Sequence, residues 1–297
     1  MADGGPMMLG ALASILSFFP VIGLATLGGF LSQKSGVWNI ALEGVMAFGA
    51  FSGVLAYHHL GGSVWVSLLF GFLTGLLVGA ILSLLCVRLG LDQIVTGYGL
   101  WFITEGMAGY LYYTVLPSVR VDETIGPDIL SLDPVFYLTL LSYGVLYIVM
   151  SRTRHGLAIR AVGESPRAAD TAGIDVGRVR GVCTALGSGF ASLAGAYLSL
   201  VILQGFTYRM VAGYGWTAFA LVLFGRWKTG GVFLGSLFFT LLIGLQTRLQ
   251  VIGIEFIPPE FVVVLPHVGV ILALALAGAI GRRAGMPAAL GIHYERE

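Results

Sequence analysis

Long apolar stretches alternate with short polar ones along nearly the whole chain, at about 8–31, 37–57, 64–87, 94–116, 135–150, 182–203, 216–224, 230–249 and 261–280. A membrane crossing needs about 20 apolar residues, so the pattern predicts an all-α polytopic membrane protein with about nine transmembrane helices, bounded between eight and ten. The seventh run is the exception, with an apolar heart of only about ten residues. It is either a half-helix or continues back through 207–215 to cross fully. The first run has no Lys or Arg before it and is too long for a signal-peptide core, so it is expected to be a retained span. The runs leave no room for a separate soluble domain, and residues 1–297 are expected to form one transmembrane unit.

Composition agrees with that pattern. Hydrophobic side chains make up 57% of the 297 residues and charged ones 10%, against roughly a quarter charged in a soluble domain. The net charge of +1 gives no reason to expect a nucleic-acid partner. Cys86 and Cys183 both sit inside apolar runs and read as small membrane-embedded hydrophobes rather than a disulfide or metal pair.

Charge is distributed asymmetrically. Threading the runs alternately from an outside N-terminus places Lys34, Arg88, the six arginines of 151–180, Arg226, Lys228, Arg282, Arg283 and Arg296 on one side, which is thirteen of the sixteen basic residues. The other side receives Arg120, Arg209 and Arg248 together with Asp122, Glu123, Asp128, Asp133, Glu255 and Glu260. The positive-inside rule makes the basic side cytoplasmic and the C-terminus internal.

Small residues recur at four-residue spacing inside the runs: Gly71, Gly75 and Gly79; Ser188, Ser192 and Ala196; Gly231 and Gly235; Gly269, Ala273, Ala277 and Gly281. Such faces let helix backbones approach closely in a bilayer, where no hydrophobic force separates protein from lipid. Tight packing is the expected role.

The longest polar segment, SRTRHGLAIRAVGESPRAADTAGIDVGRVR at 151–180, carries one well-marked short helix. Ser165 is a good N-cap, Pro166 suits the first helical position, Arg167, Ala168, Ala169 and Asp170 continue it, and Gly173 supplies the stop. Gly163 and Glu164 precede it. Attraction of six arginines to anionic lipid would hold the segment at the membrane surface, but lipid attraction does not require a capped turn bracketed by glycines.

AVGESPRAADTAGI resembles the cytoplasmic coupling segment of ABC-transporter permeases of the branched-chain amino acid, ribose and nucleoside group. Two distant stretches agree: SQKSGVWNIALEGVMAFGAF at 32–51 resembles the second-span signature of the nucleoside and simple-sugar branch, and GYGWTAFALVLFGRWKTGGVFLGSLF at 213–238 their late signature. The resemblance implies an inner-membrane permease subunit of a binding-protein-dependent importer, moving a nucleoside or related simple sugar. It also implies three kinds of partner: an ABC ATPase subunit docking on Gly163, Glu164, Ser165, Pro166, Arg167, Ala168, Ala169, Asp170 and Gly173; a second permease, expected as a heterodimer with a homodimer the alternative; and an extracellular solute-binding protein. The chain carries no phosphate site of its own, since Lys228–Thr229 lacks the glycine-rich run that must precede it. ATP is expected on the partner subunit, and no cofactor or metal is expected on this one.

Polar groups inside spans mark candidate path residues, because an ionisable side chain in hydrocarbon is costly. Glu43 and Glu105 qualify. Asn39, four residues before Glu43, is expected on the same helix face, and both fall in the motif Asn-Ile-x-Leu-Glu-Gly; a structural role for Glu43, bonding a neighbouring span or backbone amides near Gly36, stands beside a role in the path. Around Glu105, the aromatic rings of Tyr98 and Trp101 could stack a base or sugar ring, whereas Tyr112 and Tyr113 suit interfacial anchors. Trp216 and Thr217 open the short seventh run and are further candidates. The second and seventh runs share a polar, glycine-containing approach in opposite orientations, the arrangement an inverted-topology repeat would produce with runs two to four echoed by seven to nine. Two other functions compete: an ion-coupled secondary transporter using the two carboxylates, and an intramembrane enzyme built on Gly187–Ser188–Gly189, for which no histidine offers a base at matching depth.

Overall fold

A computed structural model describes residues 12–115, 120–121, 132–252 and 285–295, with residues 264, 266, 268, 269, 271, 272 and 275 between them. Among the described residues the main helices follow in the order α1 (Phe19–Lys34), α2 (Leu42–His59), α3 (Val64–Ser83), α4 (Gln93–Val115), α5 (Pro134–Arg152), α6 (Arg154–Glu164), α7 (Pro166–Thr171), α8 (Val176–Tyr197), α9 (Tyr214–Phe224) and α10 (Thr229–Ile252). Among the described residues, five segments are long and apolar enough to cross a membrane: Leu12–Lys34, Val64–Arg88, Pro134–Arg152, Val176–Ile202 and Thr229–Gln250. The chain is therefore a helical, multi-pass membrane protein. Thirteen of the twenty residues of the ninth predicted run, 261–280, Ala273 and Ala277 among them, lie outside the described residues, as do Gly281, Asp122, Glu123, Asp128, Glu255 and Glu260.

Helix starts follow local chemistry. Asp133 accepts the N–H groups of Val135 and Phe136 with Pro134 at the first position of α5, and Asp175 accepts the N–H of Arg178 at the start of α8. Both α3 and α8 end in a wide π-type turn, at Leu84–Arg88 and Leu198–Ile202. The segment 151–180 holds more helix than its sequence suggests. Besides the short α7 there is the 11-residue α6, and α8 already begins at Val176, so that Arg178 and Arg180 belong to the base of a span rather than to a loop.

α8 is the centre of the bundle, packed against α3, α1 and α2. Its small residues explain this. A Cβ on Gly71, Gly75 or Gly79 of α3 would collide with Ala196, Ser192 or Ser188 of α8, respectively; one on Gly28 of α1 would strike the Gly187 carbonyl; and one on Gly195 would strike the Met46 carbonyl of α2. Hydroxyls then bond across the close contacts: Ser192 Oγ donates to the Gly71 carbonyl at 2.6 Å and Ser199 Oγ to the Ala50 carbonyl at 2.9 Å. Gly269, on the face predicted for the ninth run, packs against Leu242 of α10.

The seventh run is a half-helix of 11 residues, α9. It does not continue back through 207–215, because Arg209, Ala212 and Gly213 all have positive φ, as does Gln204 just before them, which no right-handed helix tolerates.

Candidate functional site

Helix α2 does not begin where hydropathy places it. Residues 37–39 belong to no helix or strand and 40–41 form a turn, so Asn39 lies outside the helix and Glu43 in its first turn. The expected shared helix face of Asn39 and Glu43 is therefore absent: Gly36, at φ +99°, breaks the chain between α1 and α2 and turns the two residues toward different partners. Asn39 is fully buried and its Nδ2 donates to Ser188 Oγ of α8 at 2.9 Å, while its Oδ1 has no partner among the described residues. The Trp38 N–H donates to Gln93 Oε1 at 2.8 Å, which ties the break to the start of α4.

Glu43 reaches the half-helix. Its carboxylate accepts the backbone N–H groups of Gly213 and Gly215, each at 2.7 Å, and of Trp216 at 3.3 Å. These are among the donors that a helix N-terminus leaves without intrahelical partners. α9 has no side-chain cap of its own at Gly213, so a carboxylate from a distant helix supplies both the acceptor and the negative charge that the helix dipole favours. Gly215 permits the approach, since a Cβ there would overlap the backbone of Glu43. The structural role foreseen for Glu43 thus exists, with its amides at 213–216 rather than near Gly36.

The aromatic candidates converge on the same place. Gly44 lets α4 press against α2 at Trp101 and Thr104. Beside it, the rings of Tyr98, Trp101 and Trp216 form a triad: centroids lie 5.8 Å apart for Tyr98 and Trp101, 5.7 Å for Tyr98 and Trp216, and 5.1 Å for Trp101 and Trp216. Trp101 Nε1 is buried and has no hydrogen-bond partner among the described residues, leaving a donor available within an aromatic wall. Glu105, one turn further along α4, is half-buried and lies within electrostatic reach of Glu43. Thr217 is buried in the first turn of α9. Tyr113 is 70% exposed, and Tyr112 packs on Phe206 at 5.0 Å, so neither joins the triad.

At the basic end of the bundle, α7 forms as its sequence specifies. Ser165 Oγ accepts the Ala168 N–H at 3.4 Å, Pro166 opens the helix, and Gly173 follows its end at φ +82°. Its two alanines differ: Ala168 is exposed, whereas Ala169 is buried with Val162 and Val176 in a small apolar core. Arg167 is exposed too. Gly163 presses so closely on the Lys34 carbonyl that a Cβ would collide with it, and Glu164 lies 3.9 Å from Lys34 Nζ.

Sequence inspection misses the C-terminal segment at 285–295. It lies across this end and joins the pieces. The Ala289 N–H donates to the Gly163 carbonyl at 2.9 Å and the Gly291 N–H to the Gly36 carbonyl at 3.1 Å. Tyr294 OH donates to Asp170 at 3.0 Å. The buried Arg180 guanidinium donates to the Ile292 carbonyl at 2.7 Å and the Ala289 carbonyl at 3.3 Å. One strap thus touches α7, the base of α8 and the break that leads to Asn39 and Glu43. The only sequence signal is a PAALG run after a basic stretch, a helix-free, glycine-containing tail.

Residues 11–276 match the family model of the permease component of branched-chain amino acid transport systems. The chain belongs to this permease family. Three relatives extend the match. The permease is 32% identical to the nucleoside ABC transporter permease protein NupC of Lactococcus lactis, covering 95% of both chains. It is equally similar, at 32% and 95% of both, to the guanosine ABC transporter permease protein NupQ of Bacillus subtilis. A putative glucose ABC transporter permease protein of Haloferax volcanii is 29% identical over 97% of this permease and 98% of the relative. No solved structure matches the permease.

Proposed function

We propose that this permease is the membrane subunit of a binding-protein-dependent ABC importer for a nucleoside or related simple sugar, powered by ATP on a separate subunit. What carries this is full-length similarity, at 32% identity, to permeases whose names specify nucleosides. The aromatic triad with a free indole N–H supports it, because a planar base or a sugar ring is bound by stacking plus one or two directed hydrogen bonds. Asn39, Glu43, Tyr98, Trp101, Glu105, Trp216 and Thr217 are the proposed path residues. Glu43 acts by holding the half-helix that carries Trp216 and Thr217.

The coupling site is assigned to Gly163, Glu164, Ser165, Pro166, Arg167, Ala168, Ala169, Asp170 and Gly173, with the ATPase meeting the exposed Arg167 and Ala168 and Ala169 acting from inside. Motion of α7 would pass through the strap and Gly36 to the α2 break. On this basis the basic end is cytoplasmic, the N-terminus lies outside, nine segments cross the inner membrane, the seventh crossing being made by the half-helix together with the non-helical approach at 204–213, and two permeases, most simply a heterodimer, enclose the path. An inverted repeat relating runs two to four to runs seven to nine fits the two glycine-containing approaches that meet at Glu43. An ion-coupled transporter accounts for the carboxylates less well, since three backbone N–H groups already engage Glu43.

The test is affinity purification from the native membrane in mild detergent, with mass spectrometry of what is retained. An ATP-binding-cassette subunit, a second permease and a solute-binding protein are expected, and Ala168→Arg should release the ATPase while leaving insertion intact. Recovery of the chain alone in several detergents would overturn the assignment.

A further inference from the structure

A cleft of about 730 Å³ runs between α1, α5, α6 and α8; Arg178 and Val182 also line a neighbouring cleft between α3 and α8. Its walls are hydrocarbon: Leu141 and Val145 of α5, and Leu186 and Phe190 of α8, over a floor that includes Leu31 and Cys183. The lips face outward, Leu141 being 62% and Val145 51% exposed, so the cleft opens sideways to the bilayer. Its basic side chains are His155 of α6 and Arg178 of α8, both at the basic end. Neither has an ion-pair partner among the described residues. Asp175, the carboxylate of the same helix turn, faces its own helix start by accepting the Arg178 N–H. Arg152 and Arg154, close to His155 in sequence, are exposed.

The depth of the cleft matches one leaflet. From Arg178 to Phe190 the wall rises twelve residues of helix, about 18 Å at ~1.5 Å per residue, against roughly 15 Å for half of a ~30 Å hydrocarbon core. An apolar slot of one-leaflet depth with a basic mouth at headgroup level has the chemistry of a phospholipid site. A soluble solute would meet no polar wall within it. A polypeptide segment would need partners for its backbone, and the walls offer little beyond Ser142.

We infer that this cleft binds one anionic phospholipid from the leaflet at the basic end, one of its two acyl chains between α5 and α8 and its phosphate at Arg178 and His155. The site is separate from the Glu43 and aromatic cluster. It touches α6, which leads directly into α7, and the base of α8, where Arg180 holds the strap.

The test uses the full chain reconstituted in phosphatidylcholine vesicles containing a minority of phosphatidylglycerol with a photoactivatable acyl chain. Cross-links are expected on the α5 and α8 peptides that contain Val145 and Leu186. They should fall about fivefold in Arg178→Gln, the worth of one basic side chain at an anionic surface. Val145→Trp, at an exposed position, should also reduce them by filling the slot. The same probe on a phosphatidylcholine headgroup should label these peptides weakly. Equal labelling by both headgroups, labelling unaffected by Arg178→Gln, or a co-purified polypeptide cross-linked to the cleft in place of lipid would each overturn the assignment.

Discussion

The carboxylate of Glu43 accepts the backbone N–H of Gly215 at 2.7 Å across 172 positions of sequence, so the N-terminus of one helix is capped by the first turn of another. The bond is charge-assisted and shielded, Glu43 being 6% exposed, and removing its acceptor would strand two or three buried donors. Glu43→Ala should therefore destabilise the purified permease by about 1–3 kcal/mol, the usual cost of an unsatisfied buried group, and abolish uptake. Glu43→Gln keeps one acceptor oxygen but turns an NH2 donor toward N–H groups, so it should fall between. Glu105→Gln serves as the comparison, with an expected stability change within about 0.5 kcal/mol. Thermal unfolding in detergent measures all three, and an unchanged midpoint for Glu43→Ala would remove the cap from the account.

Trp101 can be tested without disturbing its stacking. Phenylalanine at this position preserves an aromatic contact with Tyr98 and Trp216 but deletes the indole N–H, which has no partner within the described protein. If that N–H donates to the passing solute, Trp101→Phe should lower uptake about threefold to tenfold, the worth of one net hydrogen bond, with thermal stability unchanged. Trp216→Ala should cost more, since it removes a ring from the triad. Uptake of labelled solute by reconstituted transporter is the measurement, and wild-type uptake by Trp101→Phe would leave the indole a packing role only.

The interface of α3 with α8 separates two kinds of glycine. Gly75 faces Ser192 and Ser188 with no space for a side chain, whereas Gly99 on α4 has nothing within 4 Å of the position its Cβ would take. Gly75→Val should force the helices apart and cost at least about 1–3 kcal/mol, seen as poor recovery of folded protein. Gly99→Ala should be neutral or slightly stabilising, because alanine has the higher helix propensity. Similar losses from both would show that helix approach at Gly75 is not what limits stability.

These cases mark what could be read from the chain in advance. The packing of α3 on α8 was legible because GxxxG spacing is local and periodic, and α7 was legible because cap, proline and glycine stand within nine residues of one another. Tyr98, Trp101 and Trp216 could be named individually, but their meeting depends on Gly44 drawing α4 onto α2, a long-range contact without sequence periodicity. The position of Asn39 outside α2 is not legible in the sequence, because hydropathy does not register a break: Val37, Trp38 and Ile40 are apolar whether helical or not. Helix α6 escaped notice because its apolar positions, Ile159 and Val162, pack beneath a polar, arginine-bearing face.

The C-terminal strap provides the last prediction, because it joins α7 to the Gly36 break by contacts that neither helix makes alone. Tyr294→Phe deletes one hydroxyl bond to Asp170 and should cost about 0.5–1.5 kcal/mol locally, seen as faster amide hydrogen exchange over 163–173 with global unfolding unchanged. Arg180→Ala goes further, since the guanidinium, 2% exposed, bonds two strap carbonyls, and it should detach the strap from α8. If the strap relays motion, Arg180→Ala should retain the ATPase on α7 yet lose uptake, so that ATP hydrolysis continues without transport. A strap that only stabilises the fold would instead lose ATPase binding and uptake together, and in proportion to the fall in thermal stability. The ratio of transport to ATP hydrolysis in Tyr294→Phe, whose fold should be intact, distinguishes the two: a lowered ratio supports the relay, and an unchanged ratio with faster exchange over 163–173 assigns the strap to stability alone.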